Sequence, residues 1–307
     1  MRARIIPPAL HKGDVIQVVA PAGRPSAVEP FRSGLAVLEQ MGFVVRYPER
    51  LWPGSGFLAD SDTARAEELN RAFADDRSAA IMTVRGGYGS LRILGGIDLD
   101  LVRAHPKIIV GFSDITVIHN HLLASLGLVG LHGPVLTSLA ASTPDSVMRL
   151  YRCLTGSWRN AFALPGIEIL RGGAKVEGIL AGGNLTSLAS LLGTPYDFSW
   201  QGLVVVLEDV NEPPYRLDRM LTQLAIAGKF NQAAAILLGD FSLADARLYD
   251  TGPVDQEWLW QRVLDLTAAS GIPVWAGLPA GHGPENLTLP IGADVVVNSN
   301  RRSLFFC

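Results

Sequence analysis

The sequence predicts an α/β fold in which an open, largely parallel sheet carries helices on both faces and a second, smaller α/β region follows. Three observations predict it. Short apolar runs at 14–20, 79–84 and 107–110 are each closed by a turn and followed by a helix-patterned segment, as in strands buried on both faces. A chain of 307 residues with 48% hydrophobic and 18% charged content has ample material for a core and does not resemble a disordered chain. Around 156–175 the pattern loosens, with Gly, Pro, Trp and Arg interspersed and no clear period, which sets a linker between regions 1–155 and 176–307.

Element by element, the run 14–20 is closed by Pro21-Ala22-Gly23, and 31–41 has helical spacing that ends at Gly42. Residues 43–47 read as a strand. Ser61 precedes an amphipathic run, 64–73, whose acids Asp62, Glu67 and Glu68 cluster near its start, where helix dipoles favour them. Next come a strand at 79–84, a glycine turn at 85–89, a short helix, a strand at 107–110, a helix at 114–126 and a strand at 128–131. The second region reads as a strand at 176–180, a turn at 181–184, a helix at 185–192 and a strand at 203–207. A helix at 215–227 follows, with Leu217, Met220, Leu221 and Leu224 on one face. Further strands fall at 233–238, 273–275 and 294–298, and a helix at 256–269.

A net charge of −3 offers no basic field for nucleic acid or an anionic membrane. Two cysteines, Cys153 and Cys307, do not make a disulfide framework, so reduced thiols and a cytoplasmic location are expected. Pro7 and Pro8 interrupt the apolar part of a would-be leader, and no small-residue cleavage site follows. Residues 115–144 lack Asp, Glu, Lys and Arg, but His119, Asn120, His121, His132 and Gly133-Pro134 break the stretch. A buried helix, a strand and a loop account for it better than a membrane span.

The segment richest in chemistry is Gly111-Phe112-Ser113-Asp114 at the end of an apolar run. A serine on a tight strand-to-helix turn holds its hydroxyl above the sheet edge, and the next backbone N–H is free to meet an oxyanion. Asp114-Ile115 departs from the usual hydrolase elbow, and a plain helix N-cap is the competing reading. A nucleophilic serine needs a histidine oriented by a carboxylate. Among six histidines, His282 lies in a glycine-rich loop beyond a strand and His132 at a strand end. His119 and His121 read as ordinary helix residues. The acids Glu208, Asp209 and Glu212 follow a fully apolar strand, and spacing does not choose among them. Val84-Arg85-Gly86-Gly87-Tyr88-Gly89 fits no nucleotide motif but exposes backbone N–H groups, as Gly182-Gly183-Asn184 does before a helix. No Cys, His or carboxylate spacing suits a metal, and nothing calls for a cofactor.

Taken in order, Val84–Gly89, Gly111–Asp114, Gly182–Asn184, Leu207–Glu212 with Tyr215-Arg216 and Asp218-Arg219, and Gly281-His282 resemble the LD-carboxypeptidase (muramoyltetrapeptide carboxypeptidase) family of serine peptidases. The resemblance runs from Ala20-Pro21-Ala22-Gly23 to Leu289-Pro290-Ile291-Gly292. It implies Ser113 as nucleophile, His282 as general base and Glu208 as the orienting acid, with oxyanion donors on the amides of Asp114, Gly86 and Gly87. Tyr88 and Asn184 are expected as substrate contacts. The implied fold is a flavodoxin-like N-terminal domain with a smaller C-terminal α/β domain of barrel-like strands, in a homodimer. The implied reaction is release of the terminal D-alanine from murein tetrapeptides in peptidoglycan recycling. A sister branch cleaves microcin C-type peptidyl nucleotides, and a muropeptide-binding protein without catalysis is the remaining alternative.

Overall fold

A run of strand–turn–helix repeats in which every strand is apolar on both sides has one stable outcome, a sheet covered on both faces. The computed structural model, which describes residues 3–159, 161–173, 175–243, 255–283 and 285–307, has two such sheets in two compact units. One unit extends through Trp158 and includes Asn286–Gly292; the other runs from Arg159 through Glu285 and includes Ala293–Cys307.

In the first unit, β1 (Val15–Val19), β2 (Val44–Arg46), β3 (Ala80–Thr83), β4 (Ile108–Gly111) and β5 (Gly130–His132) lie in the order β5-β4-β3-β1-β2, all parallel. This is the doubly wound, flavodoxin-like order, whose reversal between β1 and β3 opens a crevice at the strand carboxyl ends. β3 and β4 are buried at every position. Each fully buried Ile or Val there contributes roughly 1.5–3 kcal/mol. The apolar stretch 115–144 resolves into the helix Thr116–Leu126, β5 and a short 3-10 segment, Leu136–Ala141. No helix among the described residues is long and apolar enough to cross a membrane.

The second unit holds β6 (Ala161–Ala163), β7 (Glu168–Arg171), β8 (Val176–Asn184), β9 (Leu203–Glu212), β10 (Ala235–Leu243) and β11 (Val274–Ala276). The chain then returns to the first unit as β12 (Leu289–Ile291), antiparallel to β5. It ends in the second unit with β13 (Asp294–Asn298) and β14 (Ser303–Phe306). β12 is an edge strand, the position that tolerates its Pro290. The hydroxyl of Ser146 accepts from the N–H of Asn286 at 3.0 Å, and Arg149 Nε donates to the carbonyl of Thr288 at 3.1 Å.

Four expectations change here. Strands β6 and β7 occupy the segment read as a linker, and 286–292 leaves the region 176–307 for the first sheet. The barrel-like strands form an open order, β6-β14-β13-β8-β9-β10-β11-β7, whose ends do not pair among the described residues. The predicted turn at 181–184 is instead the end of strand β8, in register with Val205–Glu208 of β9. Gly182 (φ +104) makes that possible, since a Cβ on it would stand 2.2 Å from the carbonyl oxygen of Val206. Both cysteines are free thiols, Cys153 buried and Cys307 exposed. Met1 and Arg2, the start of the would-be leader, lie outside the described residues.

Candidate active site

In the first unit, β4 stops at Gly111 and the chain turns through Phe112 into a 3-10 turn, Ser113–Ile115, that leads the helix Thr116–Leu126. Ser113 has φ +63, a left-handed conformation that disfavours a side chain. Such strain costs of order 1–3 kcal/mol and persists only where the surroundings enforce it. Here Gly86 packs against it, and a Cβ on Gly86 would come within 2.8 Å of Ser113 Cβ and 3.0 Å of its Oγ. Among the described residues, the N–H groups of Gly86 and Gly87 donate to no backbone carbonyl. A glycine turn whose amides are not taken up by backbone carbonyls, packed through Gly86 against a serine hydroxyl, has the chemistry to meet an oxyanion.

The glycine turn is held from below by Arg65, 1% exposed. Its Nη1 donates to the carbonyls of Pro21 and Gly89, its Nε to the carbonyl of Asp60, and its Nη2 pairs with Asp62. The carboxylate of Asp114 accepts from the N–H of Ser90 at 2.8 Å. Burial pushes the Asp114 carboxyl above its ordinary range, against that hydrogen bond. The elbow is thereby tied to the first residue of the helix Ser90–Ile93, so a hydrogen bond links the two expected oxyanion segments. Tyr88, at the tip of the turn, is exposed and meets Phe57 edge-on at 5.3 Å.

His119 is a structural residue of the same turn. Its Nε2 donates to the carbonyl of Gly111 at 2.9 Å, while Nδ1 is buried without a hydrogen-bond partner. Burial pulls its pKa from 6.5 down to about 4. The unfolded chain takes up this proton below pH 6.5 and the folded chain does not until about pH 4. The histidine's contribution is therefore complete above pH 6.5 and is lost as the pH falls through that window. By linkage the loss is about 3 kcal/mol. Urea unfolding at pH 7 and pH 4.5 checks this: His119→Gln should show a shallower fall than the wild type, and equal slopes would refute it. His132, buried at the end of β5, packs its ring against Phe112 at 6.0 Å rather than facing an open site.

In the second unit, β9 continues past its apolar part to Glu212, so Glu208 and Asp209 lie within the strand rather than after it, both buried. The three acids that spacing left open separate cleanly. Asp209 accepts from Asn184 Nδ2, Thr186 N, Thr186 Oγ1 and Val210 N, all at 2.8–3.0 Å. Glu212 lies 3.6 Å from Arg216. Glu208 Oε2 receives His282 Nδ1 at 2.8 Å. With Nδ1–H directed at a carboxylate, the imidazole presents the lone pair of Nε2. Glu208 is 0% exposed, and its other oxygen has no hydrogen-bond partner. Burial raises its pKa, opposed by the hydrogen bond from His282 and reinforced by Asp209 and Asp240. Gly281 brings the backbone of the histidine loop against the acid, since a Cβ on it would stand 3.1 Å from Glu208 Oε2.

Asn184, an expected substrate contact, has a structural role in the helix that follows it. It is buried, and its Oδ1 accepts from Ser187 N and Oγ while its Nδ2 donates to Asp209, so it caps the helix Leu185–Ala189. Asp240, at the exit of the apolar part of β10, was missed; its signal is the one that made Glu208, Asp209 and Glu212 candidates, an acid close behind an apolar run. No group of His, Cys, Asp and Glu among the described residues is arranged to hold a metal ion.

Residues 16–133 match the LD-carboxypeptidase N-terminal domain and residues 177–297 the LD-carboxypeptidase C-terminal domain. A probable murein peptide carboxypeptidase of Bacillus subtilis is 36% identical over 306 residues, covering 97% of this chain and 92% of that protein. The crystal structure of a muramoyltetrapeptide carboxypeptidase from Oxalobacter formigenes superposes with a TM-score of 0.81 at 27% identity, over 95% of this chain and 97% of that one. An MccF-like protein from Bacillus anthracis shares the fold with a TM-score of 0.88 at 24% identity, over 98% and 99% of the two chains.

Proposed function

The chain belongs to the LD-carboxypeptidase family and is a serine-type carboxypeptidase, and on that premise we propose that it releases the terminal D-alanine of murein tetrapeptides through an acyl-enzyme on Ser113. The observation that carries the reading is the buried hydrogen bond from His282 Nδ1 to Glu208 Oε2. A carboxylate taken wholly out of water is costly unless it is paired, and this one is paired to a histidine whose remaining nitrogen is a base.

In the proposed reaction Ser113 Oγ attacks the carbonyl that precedes D-alanine while His282 Nε2 takes the hydroxyl proton. The imidazolium is stabilised by Glu208, which also holds the required tautomer. The amides of Gly86, Gly87 and Asp114 receive the oxyanion, each worth about 3–4 kcal/mol in the transition state. The imidazolium then gives its proton to the leaving nitrogen and D-alanine departs. Water, deprotonated by His282, releases the shortened peptide and restores the serine. The same reading puts the protein in the cytoplasm, as a homodimer, in the recycling of peptidoglycan.

A second reading, cleavage of a microcin C-type peptidyl nucleotide, draws on the MccF-like fold neighbour. Incubating the protein with an L,D-tetrapeptide and, separately, with an aminoacyl sulfamoyl nucleotide, followed by mass spectrometry of the products, distinguishes them. The primary reading predicts equimolar D-alanine and tripeptide. Cleavage of the nucleotide alone favours the second, and two intact substrates would leave a binding protein.

A further inference from the structure

We propose that a cavity in the first unit is the subsite for a carboxylate of the peptide substrate, gripped by Arg24 and Arg85. The inference rests on the peptidase reading for the identity of the ligand, and on the structure for the site. The cavity, about 580 Å³, lies beside the ends of β1 and β3, at the reversal of strand order where open α/β sheets bind ligands. Its walls are apolar and aromatic, with Phe31, Trp52, Phe57 and Tyr88 among them. Its polar side chains include two arginines and no acid.

The charge arrangement is what points to an anion. Arg24 follows the β1 turn and Arg85 opens the glycine turn after β3, and Arg85 Nη1 approaches the carbonyl oxygen of Arg24 at 3.4 Å. Arg24 Nη1 donates to the carbonyl of Pro53 at 3.0 Å, which fixes its direction without neutralising it. Among the described residues neither guanidinium has a carboxylate within ion-pair distance, although Arg65, Arg71, Arg77, Arg92 and Arg103 all do. Two cations facing one half-enclosed space repel each other, and an incoming carboxylate relieves that repulsion while accepting forked guanidinium hydrogen bonds. Trp52 is fixed in the wall by its Nε1–H, which donates to Glu68 at 2.7 Å, and it offers an apolar face to the body of the same ligand.

Proximity to the chemistry assigns the role. Arg85 and Gly87 line the cavity, and Gly86 between them touches Ser113. A peptide whose carboxylate is held by Arg85 therefore passes its backbone over the oxyanion turn. Two carboxylates have this chemistry, the C-terminal one and that of an acidic side chain earlier in the peptide.

The test is calorimetric binding to Ser113→Ala, with and without Arg24→Gln and Arg85→Gln. Three probes are compared: L-Ala-D-Glu-L-Lys-D-Ala, the same peptide ending in a carboxamide, and the same peptide with D-Gln in place of D-Glu. Each arginine change should weaken the first peptide about 10-fold, as expected for loss of a charge-assisted pair, and Arg85→Lys should restore part of it. One neutralised peptide should bind weakly and be indifferent to the arginine changes: the carboxamide if the cavity takes the C-terminus, the D-Gln form if it takes the side chain. Unchanged affinity in both glutamine variants, equal losses for all three peptides, or no binding of the first peptide would each overturn the subsite. Turnover by the wild type is a separate readout: arginine-dependent binding without D-alanine release removes the peptidase reading and leaves the subsite standing.

Discussion

Ser113→Ala is expected to lower kcat/KM for D-alanine release by about 10⁴- to 10⁶-fold, the range over which loss of a serine nucleophile acts in enzymes of this type. The residue sits at φ +63 with a glycine pressed against its side chain. Alanine keeps the Cβ and removes only the hydroxyl. The fold should therefore be preserved, with thermal unfolding within a few degrees of the wild type. Stopped assays of D-alanine, read together with the unfolding curve, check both halves. A variant that keeps more than a tenth of the activity would show that the hydroxyl takes no part in bond breaking.

The second large effect is expected from adding one methyl group. Gly86→Ala directs a Cβ to within 2.8 Å of Ser113 Cβ and 3.0 Å of Oγ, closer than real carbon contacts allow. In the proposed reaction the displaced atoms are the nucleophile and the backbone of the oxyanion turn, and a shift of about 1 Å in such geometry costs roughly 10²-fold. Activity should fall by at least that factor through kcat, with KM little changed. Gly86 does not have a positive φ, so alanine meets no backbone strain there and the loss should be local. Normal kcat in a folded Gly86→Ala protein would mean that the glycine turn does not shape the reaction centre.

How much of this was legible in the chain follows from how local each signal is. Ser113 could be read because an apolar run ending in Gly-Phe-Ser-Asp is a strand-to-helix turn whatever surrounds it. Val204–Leu207 announced a buried strand for the same reason. The choice among Glu208, Asp209 and Glu212 was not legible from spacing, because their partners, His282, Asn184 with Thr186, and Arg216, are set by the fold. Resemblance pointed to Glu208, and the hydrogen bond to His282 supplies a physical reason for that choice. Gly182-Gly183 misled for a related cause. A glycine pair is a turn signal in isolation, but here it lets β8 approach the carbonyl of Val206. Three-residue β12 carries too little pattern to reveal that it pairs with β5, some 160 residues earlier. Arg24 and Arg85 looked unremarkable 61 residues apart, and only the strand order β3-β1-β2 makes them neighbours.

In the proposed reaction His282 takes the proton of the Ser113 hydroxyl, so the two side chains serve a single step. Rates of D-alanine release for Ser113→Ala, His282→Ala and the double variant test it most directly. Residues that share one proton transfer are not additive, so the double variant should be no slower than the slower single variant, within about threefold. If the two losses multiply instead, the serine and the histidine contribute independently and the proposed mechanism is wrong.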